Sequence, residues 1–469
     1  MKINKFTIFA IILLSSYFIQ AQTIEVKVSD GLNNALTYAL AGNATVIELA
    51  DDGGIYPTTP VTINSPITIR AKAGLTNKPV ILIKGCLALP FIKIENDLMF
   101  EGIIFDGYDA ANAKYDSIQH VFSANAKVGG VNEKPNFTLK DCVVRNIYKF
   151  GDPATSTDGD IFDVTTGARV GNLLFENTTF MNTGDEAIRA INTHKTPIAV
   201  DGVFATTMTV RNCTFNNIRG SSIKIEGDVD STNVDTPVLI EHCNFNASQR
   251  RVIWHRDLQN TVIKNLLITN LIQGNDKMDF VITYQGKGTT VSYIDTFNVS
   301  VPNYVQGFLA ETPSSWSGAK QTGTTDEATI YNLDPLFKDA ANGDFTLLSA
   351  SPVKNLASDG KALGDLRWAG TGTSVEDSEI IPVEFALEQN YPNPFNPTTS
   401  IQFAITNSGK YSLRVYNLLG QEVANLIDSE LNPGVHKVSF NANELSSGIY
   451  LYRLTGSNLN LTKKMMFLK

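Results

Sequence analysis

The chain has 469 residues, a formal net charge of −9 at pH 7, 43% hydrophobic residues and only 18% charged residues. The acidic balance argues against nucleic-acid binding, because phosphate recognition needs a clustered positive field, and four cysteines are too few for a disulfide scaffold. The length exceeds that of one simple compact domain, so it predicts either several domains or an elongated repeat.

Residues 1–21 have the pattern of a secretory signal peptide. Lys2 and Lys5 give a positive start, and Phe6 to Phe18 is an apolar stretch shorter than the ~20 residues that span a membrane. Ala21 is a small residue suited to cleavage. The alternative is a membrane anchor. We expect an exported protein with no transmembrane segment after the signal is removed.

The segment after the signal predicts a cap followed by strands. Asp30–Ala41 places apolar residues on one helical face, and Val61–Ile63 and Ile67–Ile69 alternate as strands do. A stack of strands needs such a cap, because its end otherwise exposes unpaired edges.

A strand pattern recurs between residues 97 and 305. The clearest copies are Phe137–Cys142, Leu173–Thr178, Met208–Cys213 and Val238–Cys243, and the looser ones are Leu98–Ile103, Val262–Leu267 and Val291–Thr296. The copies end roughly 24 to 39 residues apart, and such a period with alternation inside it is typical of a β-solenoid.

Stacked coils place equivalent residues in columns. The predicted columns are Phe105, Phe180, Phe215 and Phe245; then Asn146, Asn182 and Asn217; then Cys142, Cys213 and Cys243 with Ile103, Thr178 and Leu267. The asparagine amides are expected to hydrogen-bond from coil to coil. The cysteines are expected to be small packing residues, and the alternative is a disulfide between Cys213 and Cys243.

A second strand follows several of these copies, and its outward residues form a polar row. The predicted second strands are Asp160–Val164, Glu186–Ile191, Ser222–Glu226 and Val252–Arg256. With Ile188, Ile223 and Ile253 inward, alternation places Arg189, Lys224 and Trp254 outward, stacked with Asp163. Glu226 and Arg256 face outward two positions later. Loops at 151–159, 193–206 and 228–237 are placed to wall a groove over this row.

The opening and closing parts of this region resemble known families. The opening, with its helix and Gly42–Leu49, resembles right-handed parallel β-helix proteins of the pectate lyase type, and within them the alginate lyase and chondroitinase B family. The closing segments Leu333–Phe337, Gly343–Leu347 and Gly364–Trp368 resemble the end of secreted Bacteroidetes β-helix proteins, many of them domains of unknown function. These resemblances imply a right-handed single-stranded parallel β-helix over residues 22–368.

The outward row suits an acidic polysaccharide, since uronate carboxylates pair with arginine and sugar rings stack on aromatic rings. The resemblance to the lyase family implies β-elimination, with Lys224 as the base and Arg256 as the assisting arginine. Substrate-binding residues would then be Arg189, Trp254, Asp163 and Glu226. His255 is a rival base, but strand alternation points it inward.

The same family places calcium-binding carboxylates just before its lysine, where this chain has Gly220, Ser221 and Ser222. The nearest replacements are Asp185 and Glu186, one coil earlier, and they are the candidate Ca²⁺ ligands. A calcium-independent lyase is an alternative, and so is a protein without catalysis.

The chain changes character after Trp368. Residues 369–379 read as a linker, and the prolines of Tyr391–Pro397 exclude a helix. Predicted strands at Ser400–Ile405, Tyr411–Tyr416, His436–Asn441 and Gly448–Thr455 indicate a small immunoglobulin-like β-sandwich.

Four motifs of this region resemble the C-terminal sorting domain of type IX secretion: Phe385–Pro397, Val415–Gln421, Gly448–Tyr450 and Lys463-Lys464. The resemblance implies that residues 380–469 are recognised by the type IX secretion machinery, which delivers the protein outside or to the surface of a Gram-negative cell. The alternative is an ordinary accessory module.

We therefore expect a secreted or cell-surface polysaccharide-active protein, with a lyase on acidic polysaccharide as the sharpest form of this hypothesis. One alternative is a non-catalytic carbohydrate-binding or adhesion protein, and another is a solvated ladder of weak salt bridges. A glycoside hydrolase is a third, with paired carboxylates drawn from Asp160, Asp163, Asp185 and Glu186.

Overall fold

The chain forms a stack of parallel coils followed by an antiparallel sandwich. The computed structural model describes residues 22–124, 134–156, 158–164, 168–191, 204–227, 236–256, 258, 260–271, 281–284, 288–299, 308–310, 324–370, 386–387, 389–390, 393–405, 409–431, 434–443, 445–456 and 459–468. The predicted signal peptide and most of the predicted linker lie outside these residues.

Three parallel ladders of strands run along the stack. The first ladder is β1 (Thr23–Val26), β2 (Val46–Leu49), β5 (Ile67–Ala71), β8 (Leu98–Glu101), β13 (Phe137–Lys140), β16 (Val170–Glu176), β19 (Ala205–Arg211), β22 (Val238–Glu241), β25 (Val262–Thr269), β27 (Thr290–Phe297) and β29 (Thr324–Thr325). The second ladder is β3 (Ile55–Thr58), β6 (Val80–Ile83), β9 (Ile104–Asp106), β14 (Val143–Ile147), β17 (Thr179–Thr183), β20 (Thr214–Ile218), β23 (Asn244–Asn246) and β30 (Ile330–Tyr331), and it shares the long strands β25 and β27 with the first.

The third ladder carries the polar row that the sequence predicts. Its strands are β4 (Val61–Ile63), β7 (Ile92–Ile94), β12 (His120–Ala124), β15 (Asp160–Val164), β18 (Ile188–Ile191), β21 (Ile223–Glu226), β24 (Ile253–Arg256), β26 (Ile282–Tyr284) and β28 (Phe308–Ala310). Neighbouring strands pair in parallel throughout all three ladders. The structure thus confirms a parallel β-helix.

An apolar core fills the coils, and its columns follow the repeat. Phe180 stacks on Phe215 at 4.9 Å between ring centroids, and Phe215 stacks on Phe245 at 4.8 Å. Val144 lies in register between Phe105 and Phe180. The predicted phenylalanine column is confirmed, and Val144 occupies the coil for which the sequence pattern gives no phenylalanine.

Residues in the left-handed backbone region turn the chain at two bends of several coils. At the bend between the second and third ladders, these include Asn146, Asn182 and Asn217, with φ of 63°, 57° and 55°. Asparagine tolerates this conformation better than other residues with a Cβ. The Asn182 amide donates to Asn146 at 3.2 Å, and the Asn217 amide donates to Asn182 at 2.8 Å. The predicted amide column is confirmed.

The cysteine column is confirmed with one correction. Cys142, Cys213 and Cys243 are buried, and none of the chain's four cysteines, all of which are described, forms a disulfide. The repeat predicts Leu267 for this column, and this prediction is wrong by one position. Leu267 pairs in register with Asn244, the residue after Cys243. Strand β25 continues past the left-handed residue Asn265. Leu266, the next residue, lies in the core and takes the place in the column.

A short helix, α1 (Leu32–Tyr38), caps the first coils with Leu32 and Leu36 buried. It is shorter than the predicted Asp30–Ala41, because Asp30 ends a separate 3₁₀ turn and Ala39–Asn43 widens into a π turn. Within the described part of the chain, no helix is long and apolar enough to span a membrane.

The segment 333–370, called the strap here, runs back over earlier coils after the last described ladder strand. It contains the antiparallel pair β31 (Phe337–Asp339) and β32 (Asp344–Leu347). Val353 and Leu363 pack with Leu267, and the Asp365 carboxylate accepts from the Thr214 hydroxyl at 2.7 Å. The strap therefore covers the outer side of the coils that contain these two residues.

The C-terminal sandwich has two antiparallel sheets around its own apolar core. One contains β33 (Ala386–Leu387), β34 (Thr398–Ile405) and β37 (Gly434–Asn441), and the other β35 (Gly409–Asn417), β36 (Glu422–Leu431), β38 (Gly448–Gly456) and β39 (Leu459–Phe467). The four predicted strands are present, and β33, β36 and β39 are additional.

Candidate functional site

The third ladder brings the predicted outward row together on successive coils. Asp163 pairs in register with Arg189, Arg189 with Lys224, and Lys224 with Trp254. Strand alternation fixes this arrangement, since Phe162, Ile188, Ile223 and Ile253 are the fully buried neighbours in the same strands. Adjacent members of the row are therefore separated by one strand spacing, ~4.8 Å.

Arg189 and Asp163 form an ion pair at 2.6 Å. Asp163 is only 4% exposed, whereas the Arg189 side chain remains partly exposed. His120 lies behind them, with Nε2 4.0 Å from Asp163 and Nδ1 3.3 Å from Asp160. A ligand on this surface would meet the Arg189 guanidinium, and Asp163 would hold that guanidinium in place.

Lys224 lies between a carboxylate and an aromatic ring. Its Nζ is 3.2 Å from the buried Glu186 carboxylate and 5.2 Å from the centre of the Trp254 ring. The Arg251 guanidinium is 4.5 Å from the same ring. Two cations thus contact one partly exposed indole, which is a favourable cation–π arrangement.

Glu226 and Arg256 lie in register with each other, two residues beyond Lys224 and Trp254. Arg256 is therefore diagonal to Lys224, with ~8 Å expected between their Cα atoms from the strand rise and spacing. His255 between them is fully buried, and one of its ring nitrogens is 2.8 Å from the Thr261 hydroxyl. Burial lowers the pKa of His255 to about 3, so it is neutral and out of reach of a surface ligand.

A group of carboxyls lies beside Lys224, where the turns enter the third ladder. Oxygen atoms of Asp158, Asp160 and Asp185 lie within 4.8 Å of one another. Burial, and then the neighbouring Glu186 and Asp160, raise the pKa of Asp185 to about 8. Burial also raises the pKa of Asp160 to about 6, against the opposing effect of His120. Such perturbed groups mark candidate functional sites.

Gly220 is the reason that Asp185 reaches this group. A Cβ at position 220 would overlap Asp185 Oδ1 and the backbone at Asp185 and Glu186. The Asp185 carboxylate thus lies directly against the backbone of Gly220. Sequence reasoning found Asp185 and Glu186 but missed His120, which begins β12, a strand that the recurring pattern did not include.

Asp185 and Glu186, the carboxylates predicted to bind calcium, have charged side chains of the protein as neighbours. Glu186 contacts Lys224, Asp185 lies 3.5 Å from Arg250, and Asp158 pairs with Lys149. Ca²⁺ takes six to eight oxygen ligands, and protein cations already lie against three of these carboxylates. Binding of Ca²⁺ by Asp185 and Glu186 would have to displace these cations, and it stays a prediction.

One predicted wall of the groove is described and two are not. Arg219 donates to the carbonyls of Pro153, at 3.0 Å, and of Ser156, and so ties the loop 151–159 to the coil of Lys224. The predicted walls at 193–206 and 228–237 lie almost entirely outside the described residues.

Two family models match the chain. Residues 208–368 match a family described as a domain of unknown function, DUF5123. Residues 389–468 match the secretion system C-terminal sorting domain. The second match confirms the sorting domain and indicates export by the type IX system to the cell surface or the outside of a Bacteroidetes cell. This is a secreted surface protein.

Among solved structures, the chain is similar to the enzymatically active domain of tailspike protein 4 from bacteriophage CBA120. The identity is 11% and the TM-score 0.24, over 88% of this chain and 63% of that chain. The chain thus spans less than two thirds of the tailspike domain, and a likeness at this score supports no conclusion about fold or activity. No curated protein matches the chain significantly.

Proposed function

We propose that the third ladder binds an acidic polysaccharide outside the cell. The observation that carries this proposal is the Trp254 ring between the cations of Lys224 and Arg251, at 5.2 and 4.5 Å. A sugar ring stacks on an indole, and the flanking cations attract the carboxylates or sulfates of an acidic chain. Arg189 extends this cationic surface by one coil on the other side of Lys224.

Affinity electrophoresis tests the binding. The full chain should be retarded in gels containing alginate, chondroitin sulfate or pectate and unaffected by a neutral polysaccharide. Trp254→Ala should weaken the retardation, whereas Tyr38→Ala, which removes an exposed aromatic ring from α1, should not. Equal mobility of the wild type in every gel would contradict the proposal.

The sharper form of the proposal is cleavage by β-elimination. Arg256 would neutralise the uronate carboxylate, and Lys224 as the free amine would take the proton from the adjacent carbon. The released electron pair forms the double bond as the glycosidic C–O bond breaks, and the leaving oxygen takes up a proton. Lys224 and Arg256 lie diagonally on β21 and β24, close enough for both long side chains to reach one sugar.

This reaction requires a change around Lys224. Its contacts with Glu186 and the Trp254 ring suit a positively charged ammonium, and a general base must be neutral. A bound uronate would have to draw Lys224 away from Glu186. Product formation, measured as rising absorbance of unsaturated uronates, tests the step. Lys224→Arg keeps the charge and cannot act as a base, so it should bind polymer but release no product.

A second candidate is hydrolysis, favoured by the raised pKa values of Asp185 and Asp160. A protonated Asp185 could donate to a leaving oxygen while a neighbouring carboxylate acts as nucleophile, and retaining glycosidases place such carboxyls ~5 Å apart. Hydrolysis yields reducing ends without unsaturated sugar, and Asp185→Asn should abolish it. Retardation without either product would assign the protein to non-catalytic binding.

A further inference from the structure

An exposed apolar patch lies at the turns that enter the third ladder, on three successive coils. Leu87 is 82% exposed, Leu89 59% and Phe150 60%, and Tyr115 is partly exposed beside them. We call these four residues the aromatic patch. Contiguous exposed apolar side chains are uncommon on soluble proteins and mark binding surfaces.

Backbone contacts join the three turns that carry the patch. Leu89 forms a parallel bridge with Ile118, and Ser117 forms one with Tyr148. The Ala88 N–H also donates to the Ser117 carbonyl at 2.7 Å. The four residues therefore lie on turns that contact one another on neighbouring coils.

The Tyr115 ring of the patch is packed between two neighbouring rings. Tyr115 lies in the hairpin of β10 (Tyr108–Asp109) and β11 (Lys114–Tyr115), where its ring packs at 4.6 Å on Tyr108. Its other neighbour is Tyr148, at 5.4 Å in an edge contact. A ring already fixed by its neighbours loses little entropy when a ligand stacks on it.

The patch is continuous with the candidate site. Lys149 lies 5.8 Å from the Phe150 ring centre and pairs with Asp158 of the carboxyl group. Phe150 belongs to the coil of Asp163, and Trp254 lies three coils further on, which corresponds to ~14 Å along the stack. The exposed Lys114 places positive charge beside Tyr115 at the edge of the patch, whereas the charge of Lys149 is paired with Asp158.

We propose that the aromatic patch is a second sugar-stacking subsite, so that one polysaccharide chain runs along the solenoid axis from Phe150 to Trp254. This inference rests on the proposed function. The Phe150 and Tyr115 rings, with the exposed Lys114 beside them, suit the sugar rings of an acidic chain better than the apolar surface of a protein. The patch would add affinity for long chains and leave a disaccharide bound at Trp254 unaffected.

Two substitutions of Phe150 separate ring stacking from general apolar contact. The probes are the acidic polymer that retards the wild type and its disaccharide. Phe150→Tyr keeps a ring and should bind the polymer like the wild type, whereas Phe150→Leu should weaken polymer binding by about three- to tenfold. Neither variant should change disaccharide binding. Ile55→Ala is the matched control, because Ile55 is 53% exposed on the second ladder.

The outcomes distinguish the inference from the function on which it rests. If Phe150→Leu binds the polymer like the wild type while Trp254→Ala is weakened, the second subsite is wrong and the binding face stands. If the wild type binds no acidic polymer, both fail. If sedimentation shows a dimer that Phe150→Leu dissociates, the patch is an interface between copies, and the inference is overturned.

Discussion

Glu176 and Arg211 lie in register on adjacent coils, with the Arg211 Nε donating to Glu176 Oε1 at 2.6 Å. This pair is one step of an alternating row along the first ladder: Glu48, Arg70, Glu101, Lys140, Glu176, Arg211, Glu241 and Lys264. Each inner charge lies between two opposite charges. A slip of one coil would place like charges together, so the row favours a single stacking register.

Exchanging the charges of this pair separates the contribution of the whole row to stability from that of the Glu176–Arg211 pair alone. The double variant Glu176→Arg with Arg211→Glu keeps the attraction within the pair but sets like charges against Lys140 and Glu241. We expect it to lose about 1–2 kcal/mol of stability, seen as a lower thermal unfolding midpoint. Glu95→Lys, at an exposed position of the third-ladder coil, is the control and should leave the midpoint unchanged. If the exchanged variant unfolds at the wild-type midpoint, only the attraction within the pair contributes to stability.

The row is also readable from the sequence. The fourth residue of each clear copy is Lys140, Glu176, Arg211 and Glu241 in turn, so its sign alternates with the period of the coil. The repeat was found from apolar alternation alone, which identifies the inward positions and ignores the outward ones. The fold followed from that pattern because every coil buries the same columns.

Asn182 combines two roles that substitution can separate. Its backbone φ is 57°, and its amide links Asn146 to Asn217. Asn182→Gly removes the amide bonds but suits the backbone, whereas Asn182→Ala loses both. We expect the alanine variant to be less stable than the glycine variant by about 1 kcal/mol, measured by thermal unfolding. Equal midpoints would show that the left-handed backbone carries no cost here.

The pKa of Asp185 predicts how stability changes with pH. Its folded-state pKa is raised to about 8 from the ordinary 3.8, with Glu186, Asp160 and Arg250 as its charged neighbours. A raised pKa means that the folded state holds a proton that the unfolded state releases, so this contribution is full below about pH 4 and is lost as the pH rises through about 8. Asp185→Asn mimics the protonated acid and should gain stability relative to the wild type between pH 5 and 8.

Melting curves of both proteins at pH 5 and pH 8 measure this difference. Glu95→Gln, at an exposed position, should keep the wild-type profile. A gap between Asp185→Asn and the wild type that does not grow with pH would contradict the prediction. Calcium chloride added at pH 8 tests the calcium prediction in the same samples. If Asp185 binds Ca²⁺, the unfolding midpoint of the wild type should rise and that of Asp185→Asn should not.

The site could be predicted only in part. Asp163, Arg189, Lys224 and Trp254 follow from alternation within strands, so their register was accessible from sequence. The carboxyl group depends on turns. Asp158 reaches Asp185 because Gly184 and Gly220 let the turn backbones approach closely, and no periodic pattern encodes such an approach. Loop insertions of irregular length interrupt the repeat at the turns that carry the carboxyl group.

Arg367 fastens the end of the strap to the coils through an ion pair with the buried Asp365. Its guanidinium pairs with Asp365 at 2.5 Å and donates to the Asn177 carbonyl at 2.6 Å, while Asp365 also accepts from the Thr214 hydroxyl. Arg367→Ala would leave the Asp365 carboxylate buried without its cation, which should cost about 2–3 kcal/mol. Lys361→Ala, which removes an exposed partner of Asp359, should cost less than about 0.5 kcal/mol.

A double variant shows whether the cost comes from the stranded charge. Adding Asp365→Asn to Arg367→Ala removes the buried negative charge, so the double variant should have a higher thermal midpoint than Arg367→Ala alone. If the double variant melts lower than the single one, the Asp365 carboxylate stabilises the strap through Thr214 independently of Arg367. The strap would then be fastened by its hydrogen bond to the coil of Thr214, and the guanidinium would be secondary.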